Sequence, residues 1–74
     1  MHNLNFLTQR EKEILELVCQ GFSNTEIAQK LFISTHTVKF YVLSTLRKFN
    51  TRNRTTLAYI VGKYNLADIN PFLQ

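Results

Sequence analysis

Apolar residues recur along this chain at intervals of three and four, in four stretches separated by short polar or glycine-bearing breaks. Ile14, Leu15, Leu17 and Val18 form the first stripe, and Ile27, Ala28 and Leu31 the second. Val38, Val42, Leu46 and Phe49 form the third, and Leu57, Ile60, Val61 and Tyr64 the fourth. That spacing places each set on one face of an α-helix. No segment alternates strictly between apolar and polar residues, so the pattern predicts an all-α fold of four helices.

The residues between the stripes fix the boundaries. Thr8 with Glu11, and Ser23 with Glu26, are capping boxes, in which hydroxyl and carboxylate satisfy the orphan amides of a helix start. Ser34 and Asn53 are further N-caps. Gly21 stands where a helix ends in a left-handed residue, and Asn50 and Asn65 tolerate the same conformation. These signals predict helices over about 9–20, 24–31, 35–49 and 54–64. Ser34 follows Ser23 by only eleven residues, which leaves room for nothing but a tight corner. Counting Asn24 as the first position, apolar or small residues fall at positions 4, 5, 8, 10 and 15: Ile27, Ala28, Leu31, Ile33 and Val38. This is a helix-turn-helix pattern, in which Ala28 is small because the next helix crosses it and Ile33 plugs the corner. Such a unit presents its second helix to a DNA groove. Residues 1–6 read as a lead-in or linker remnant, 7–66 as the domain and 67–74 as a tail that Pro71 keeps from extending as helix.

Composition narrows the class. Seventy-four residues make one small domain, and 45% hydrophobic with 19% charged residues is ordinary for a globular chain. Apolar runs are too short to span a membrane or to serve as a signal peptide. The single cysteine, Cys19, forms no internal disulfide and reads as a small buried hydrophobe, which suits a reducing cytoplasm. His2 and His36 lie far apart, so no metal-ligand spacing exists, and neither a phosphate loop nor a nucleophile with its base appears. The expectation is a non-enzyme without metal or cofactor.

Charge adds a partner. The net charge is +4, and four of the five acidic residues lie within the first 26 positions. Between Gln29 and Ala67 there is no acidic residue, against seven basic ones: Lys30, Lys39, Arg47, Lys48, Arg52, Arg54 and Lys63. An ordinary solvated face mixes signs. A one-signed stretch points to an anionic polymer.

Five blocks, Leu7 to Glu13, Gly21 to Ala28, Ile33-Ser34, Thr37 to Lys39 and Arg52 to Thr55, resemble the LuxR-type DNA-binding domain of the LuxR, NarL and FixJ regulators, also found free-standing in GerE-like proteins. The likeness covers about Leu7 to Leu66. Tyr41 stands where that family commonly has His, Asn50 and Asn65 where it has Gly, and Leu43 where many members have a polar or basic residue. The resemblance implies a bacterial-type transcription regulator, or its detached DNA-binding domain. Its partners would be double-stranded DNA, a second copy of the chain on that DNA, and RNA polymerase.

Helix three has two faces. Val38, Tyr41, Val42, Leu46 and Phe49 share one; His36, Lys39, Phe40, Leu43 and Arg47 share the other. Phe40 and Leu43 are odd on a merely solvated surface. Either they meet another protein, or they lie against thymine methyls and sugars in a major groove beside Lys39. Asn24, Ser34, Thr35, Thr37, Arg52, Arg54 and Thr55 cluster at the starts of helices two, three and four, where amides, hydroxyls and guanidinium groups suit phosphates. Simple capping by Ser34, and a solvated loop for the arginines, are the plain alternatives. On helix four, Ala58, Tyr59 and Gly62 remain outside the core stripe and form a candidate dimer face. The leading expectation is sequence-specific duplex binding through helix three. The alternative is a protein-interaction module that grips a partner with Phe40, Leu43 and Tyr59.

Overall fold

The computed structural model describes residues 6–63, and in them four helices follow one another with no strand. They are α1 (Gln9–Cys19), α2 (Asn24–Leu31), α3 (Thr35–Lys48) and α4 (Arg54–Val61). Both expected capping boxes form. The Glu11 amide donates to Thr8 Oγ1 at 3.1 Å, and the Thr8 amide donates to Glu11 Oε1 at 2.8 Å. Ser23 and Glu26 repeat the pair at the same two distances. Ser34 Oγ accepts from the Thr37 amide at 3.0 Å. Asn53 Oδ1 accepts from the Thr55 and Thr56 amides at 2.7 and 3.0 Å.

Three C-terminal ends fall short of the expected boundaries. Helix α1 stops at Cys19, with Gly21 at φ 93 and the Phe22 amide donating back to the Leu17 carbonyl at 3.2 Å. Helix α3 stops at Lys48, so Phe49 lies just beyond it, and Asn50 takes φ 55 as its left-handed stop. Helix α4 ends at Val61 rather than near residue 64. Gly62, a poor helix former, caps it, and Lys63 closes a tighter turn onto the Ile60 carbonyl at 3.2 Å. Tyr64, Asn65 and Pro71 lie outside the described residues.

The end of α2 carries the feature that sequence reading missed. Phe32 adopts φ 57, ψ 43, the left-handed region usually left to Gly or Asn. This lets the Ile33 amide reach the Ala28 carbonyl at 3.1 Å and turns the chain within three residues. The Phe32 ring itself is 94% exposed.

The core is one cluster. Leu7, Ile14, Leu15, Val18, Ile27, Ala28, Val38, Val42, Leu46, Leu57 and Val61 are buried in it. Helix α3 packs across α1 and α2, and α4 packs against α1. Ala28 is buried, and Ile33 is half-buried against the core at the corner, as the helix-turn-helix pattern requires. Thr45, a polar residue inside the apolar face of α3, is also buried. Its hydroxyl donates to the Tyr41 carbonyl at 2.8 Å, so no polar atom is left unsatisfied there.

Candidate nucleic-acid interface

Two long-range polar joints hold the helices that would carry the interface. Glu11 is buried, and its Oε1 accepts from Lys48 Nζ at 2.7 Å while its Oε2 accepts from Ser44 Oγ at 2.6 Å. Lys48 Nζ also donates to the Phe6 carbonyl at 3.0 Å. The C-terminal half of α3 is thereby tied to the start of α1. Burial alone would raise the Glu11 carboxyl. The hydrogen bonds from Lys48, Ser44 and the Thr8 amide outweigh it and hold the group down at about 2. The second joint is Arg54. Its Nη1 donates to Asn24 Oδ1 and its Nη2 to the Phe22 carbonyl at 2.6 Å, which fastens the start of α4 to the start of α2.

The buried apolar side of α3 and its joint to Glu11 set the outward face of that helix. His36, Lys39, Phe40, Leu43 and Arg47 are all exposed, with Phe40 at 64% and Leu43 at 44%. On the opposite side Val38, Val42 and Leu46 are buried, and Tyr41 and Phe49 are half-buried against the core. The Phe40 ring meets the Tyr41 ring edge to face, with centroids 5.5 Å apart and planes at 76°. At the start of the helix Thr35 is exposed. Thr37 is half-buried, and its hydroxyl accepts from Ser34 Oγ at 2.8 Å.

The residues chosen from helix starts fall into two groups. Ser34, Thr35, Arg52 and Thr55 are exposed. Asn24, Thr37 and Arg54 are half-buried, and Arg54 already spends two guanidinium nitrogens inside the fold. A hollow on the surface is lined by Arg47, Asn50, Thr51 and Arg52. It joins the far end of α3 to the loop before α4, a proximity that the periodic pattern does not encode. On α4, Tyr59 is 68% exposed and Gly62 is exposed, whereas Ala58 is half-buried. Lys63 Nζ sits 5.0 Å from the centre of the Tyr59 ring.

Two further ionisable groups on α1 are shifted by burial. Burial raises the Glu16 carboxyl, whose Oε2 has no hydrogen-bond partner among the described residues. Burial, with Glu16 beside it, pushes the Cys19 thiol up to about 11, so it carries little thiolate at neutral pH. Among the described residues no three His, Cys, Asp or Glu side chains gather as metal ligands. No helix in them is long and apolar enough to cross a membrane.

A capped helix crossing behind a second capped helix, with a left-handed corner between them and the second helix bare on its outer side, defines a helix-turn-helix domain. Residues 5–61 match the family model described as bacterial regulatory proteins, luxR family. The chain belongs to that family, a class of DNA-binding transcription regulators. It is 48% identical over 60 residues to an uncharacterised transcriptional regulatory protein, YhcZ, of Bacillus subtilis, covering 81% of this chain and 28% of that protein. It is also 48% identical over 66 residues to a probable transcriptional regulator, ycf29, of Porphyra purpurea, covering 89% of this chain and 32% of that one. Over 62 residues it is 39% identical to the oxygen regulatory protein NreC of Staphylococcus carnosus, covering 84% and 29% of the two chains. The chain thus spans about a third or less of these relatives' length.

Proposed function

We propose that this domain binds double-stranded DNA sequence-specifically, with α3 in the major groove. Lys39, Phe40 and Leu43 face base edges, flanked by His36 and Arg47. Ser34, Thr35, Thr37, Arg52 and Thr55 meet phosphates, and Asn24 and Arg54 meet them with the groups their mutual bond leaves over. A second copy pairs on the DNA through Ala58, Tyr59 and Gly62 of α4. The observation that carries this reading is the exposed face of α3. It holds two cations and two large apolar side chains, on a helix whose other side is buried in the core.

The exposure of Phe40, Leu43 and Tyr59 also suits a second reading, in which the same surface grips a protein. Salt separates the two. Binding to a labelled duplex, followed at rising salt, should weaken linearly in log affinity against log salt, with a slope of about −0.9 for each phosphate neutralised. Apolar contact with a protein weakens little. A flat salt profile, or no duplex binding at low salt, rejects the DNA reading.

A further inference from the structure

Resting on the DNA reading above, we infer that α3 selects duplexes carrying thymines on two neighbouring base pairs, with their methyl groups seated against Phe40 and Leu43. The first ground is what the outward face lacks. His36, Lys39, Phe40, Leu43 and Arg47 include no carboxylate and no carboxamide. Adenine and cytosine present amino donors in the major groove, and reading those takes an acceptor that lysine and arginine do not possess, which leaves one imidazole nitrogen of His36, at the first turn of α3, as the acceptor on this face. Thymine presents an acceptor oxygen and a methyl group, the one apolar feature on any base edge in that groove. Around Phe40 and Leu43 a face of cations and hydrocarbon is therefore complementary to thymine, and the purine N7 acceptors, with guanine O6, are the other groups that Lys39 can serve.

The second ground is geometry. Phe40 and Leu43 are three residues apart on one helical face, which separates them by roughly 4.5 Å along the axis. Neighbouring bases on a strand are about 3.4 Å apart. With α3 lying along the groove, two side chains at that spacing reach two adjacent pairs. The Phe40 ring rests edge to face on Tyr41, a contact that favours one placement of the ring before a methyl packs on its exposed side. Contact with deoxyribose would bury the same side chains without sensing the base, and that is the alternative the experiment must exclude.

The experiment selects bound duplexes from a random pool with the full chain. The best-bound duplex is then resynthesised with deoxyuridine at the two neighbouring thymidine positions, which removes only those two methyl groups. The selected duplexes should share adjacent thymines, and removing two methyls should weaken binding by about threefold to tenfold. With Phe40→Ala and Leu43→Ala combined, the thymidine and deoxyuridine forms should bind alike. Lys39→Ala should weaken both forms and keep their ratio. Equal binding of the two forms by the unaltered chain overturns the inference, as do selected duplexes without neighbouring thymines, and neither result depends on a variant folding. Failure to enrich any duplex overturns the DNA reading itself, and this inference with it.

Discussion

Glu11 and Glu16 lie five residues apart on α1, both are buried, and burial acts on them with opposite outcomes. Glu11 finds three donors and is held at about 2, below its ordinary 4.5. Its stabilisation is complete above about pH 4.5 and is lost as pH falls toward 2. Glu16 has an oxygen without a partner among the described residues and a raised pKa, so its ionisation above the ordinary value opposes folding. Glu11→Gln should therefore cost about 1–3 kcal/mol at pH 7, and the gap to the unaltered chain should begin to narrow as the pH falls below 4.5 and close only toward 2. Glu16→Gln should stabilise at pH 7 and make little difference near pH 4. Denaturant melts at the two pH values check both signs. A loss at pH 7 in both variants would contradict the assignment. None of this was legible in the chain, where Glu11 reads as a capping residue and Glu16 only as one of the acids of the first 26 positions. The long-range donors Ser44 and Lys48 carry no periodic signal.

The helices were legible because each start is marked by a residue that can do little else there. Thr8, Ser23, Ser34 and Asn53 all cap as their residue types predict. The ends were less legible. Gly21 and Asn50 stop helices by a conformation that suits them, but Phe32 adopts the same region against its type, because the corner must turn there. Arg54 shows the same limit at the site. Sequence placed it beside Arg52 as an equal phosphate contact, and the fold gives it a second duty as the clamp between α4 and α2. Arg52→Ala should thus leave stability nearly unchanged and flatten the salt slope by roughly one unit. Arg54→Ala should cost about 1–3 kcal/mol of stability as well, since it leaves the Phe22 carbonyl and Asn24 without their donor. Equal melting of the two variants would remove the clamp. For α4 the expectation concerns cooperativity: Tyr59→Glu should reduce joint occupancy of two half-sites about one helical turn apart and leave a single half-site nearly unaffected. Equal loss on both, measured by gel shift, would move the dimer face elsewhere.

At the scale of the whole molecule, folding sharpens a charge bias that the chain already shows. Two of the four acidic residues described are buried in α1, and Glu13 is paired with Arg10 at 3.3 Å, while Lys39, Arg47 and Arg52 stay exposed around α3 and the loop after it. The surface that meets a duplex in the proposed mode is therefore more uniformly positive than the composition alone suggests, which favours fast, salt-sensitive association. Base reading must come from the few side chains that reach the groove floor. Lys39 is the most direct probe, being exposed, outside the core and free of any role in the two polar joints. Binding of Lys39→Ala should be measured beside the unaltered chain on its preferred duplex and on a scrambled one, at equal salt. The account predicts a cost of about 1–3 kcal/mol on the preferred duplex, a much smaller cost on the scrambled one, and unchanged folding. Equal affinity of the two proteins for every duplex tested would contradict the claim that α3 is the reading helix.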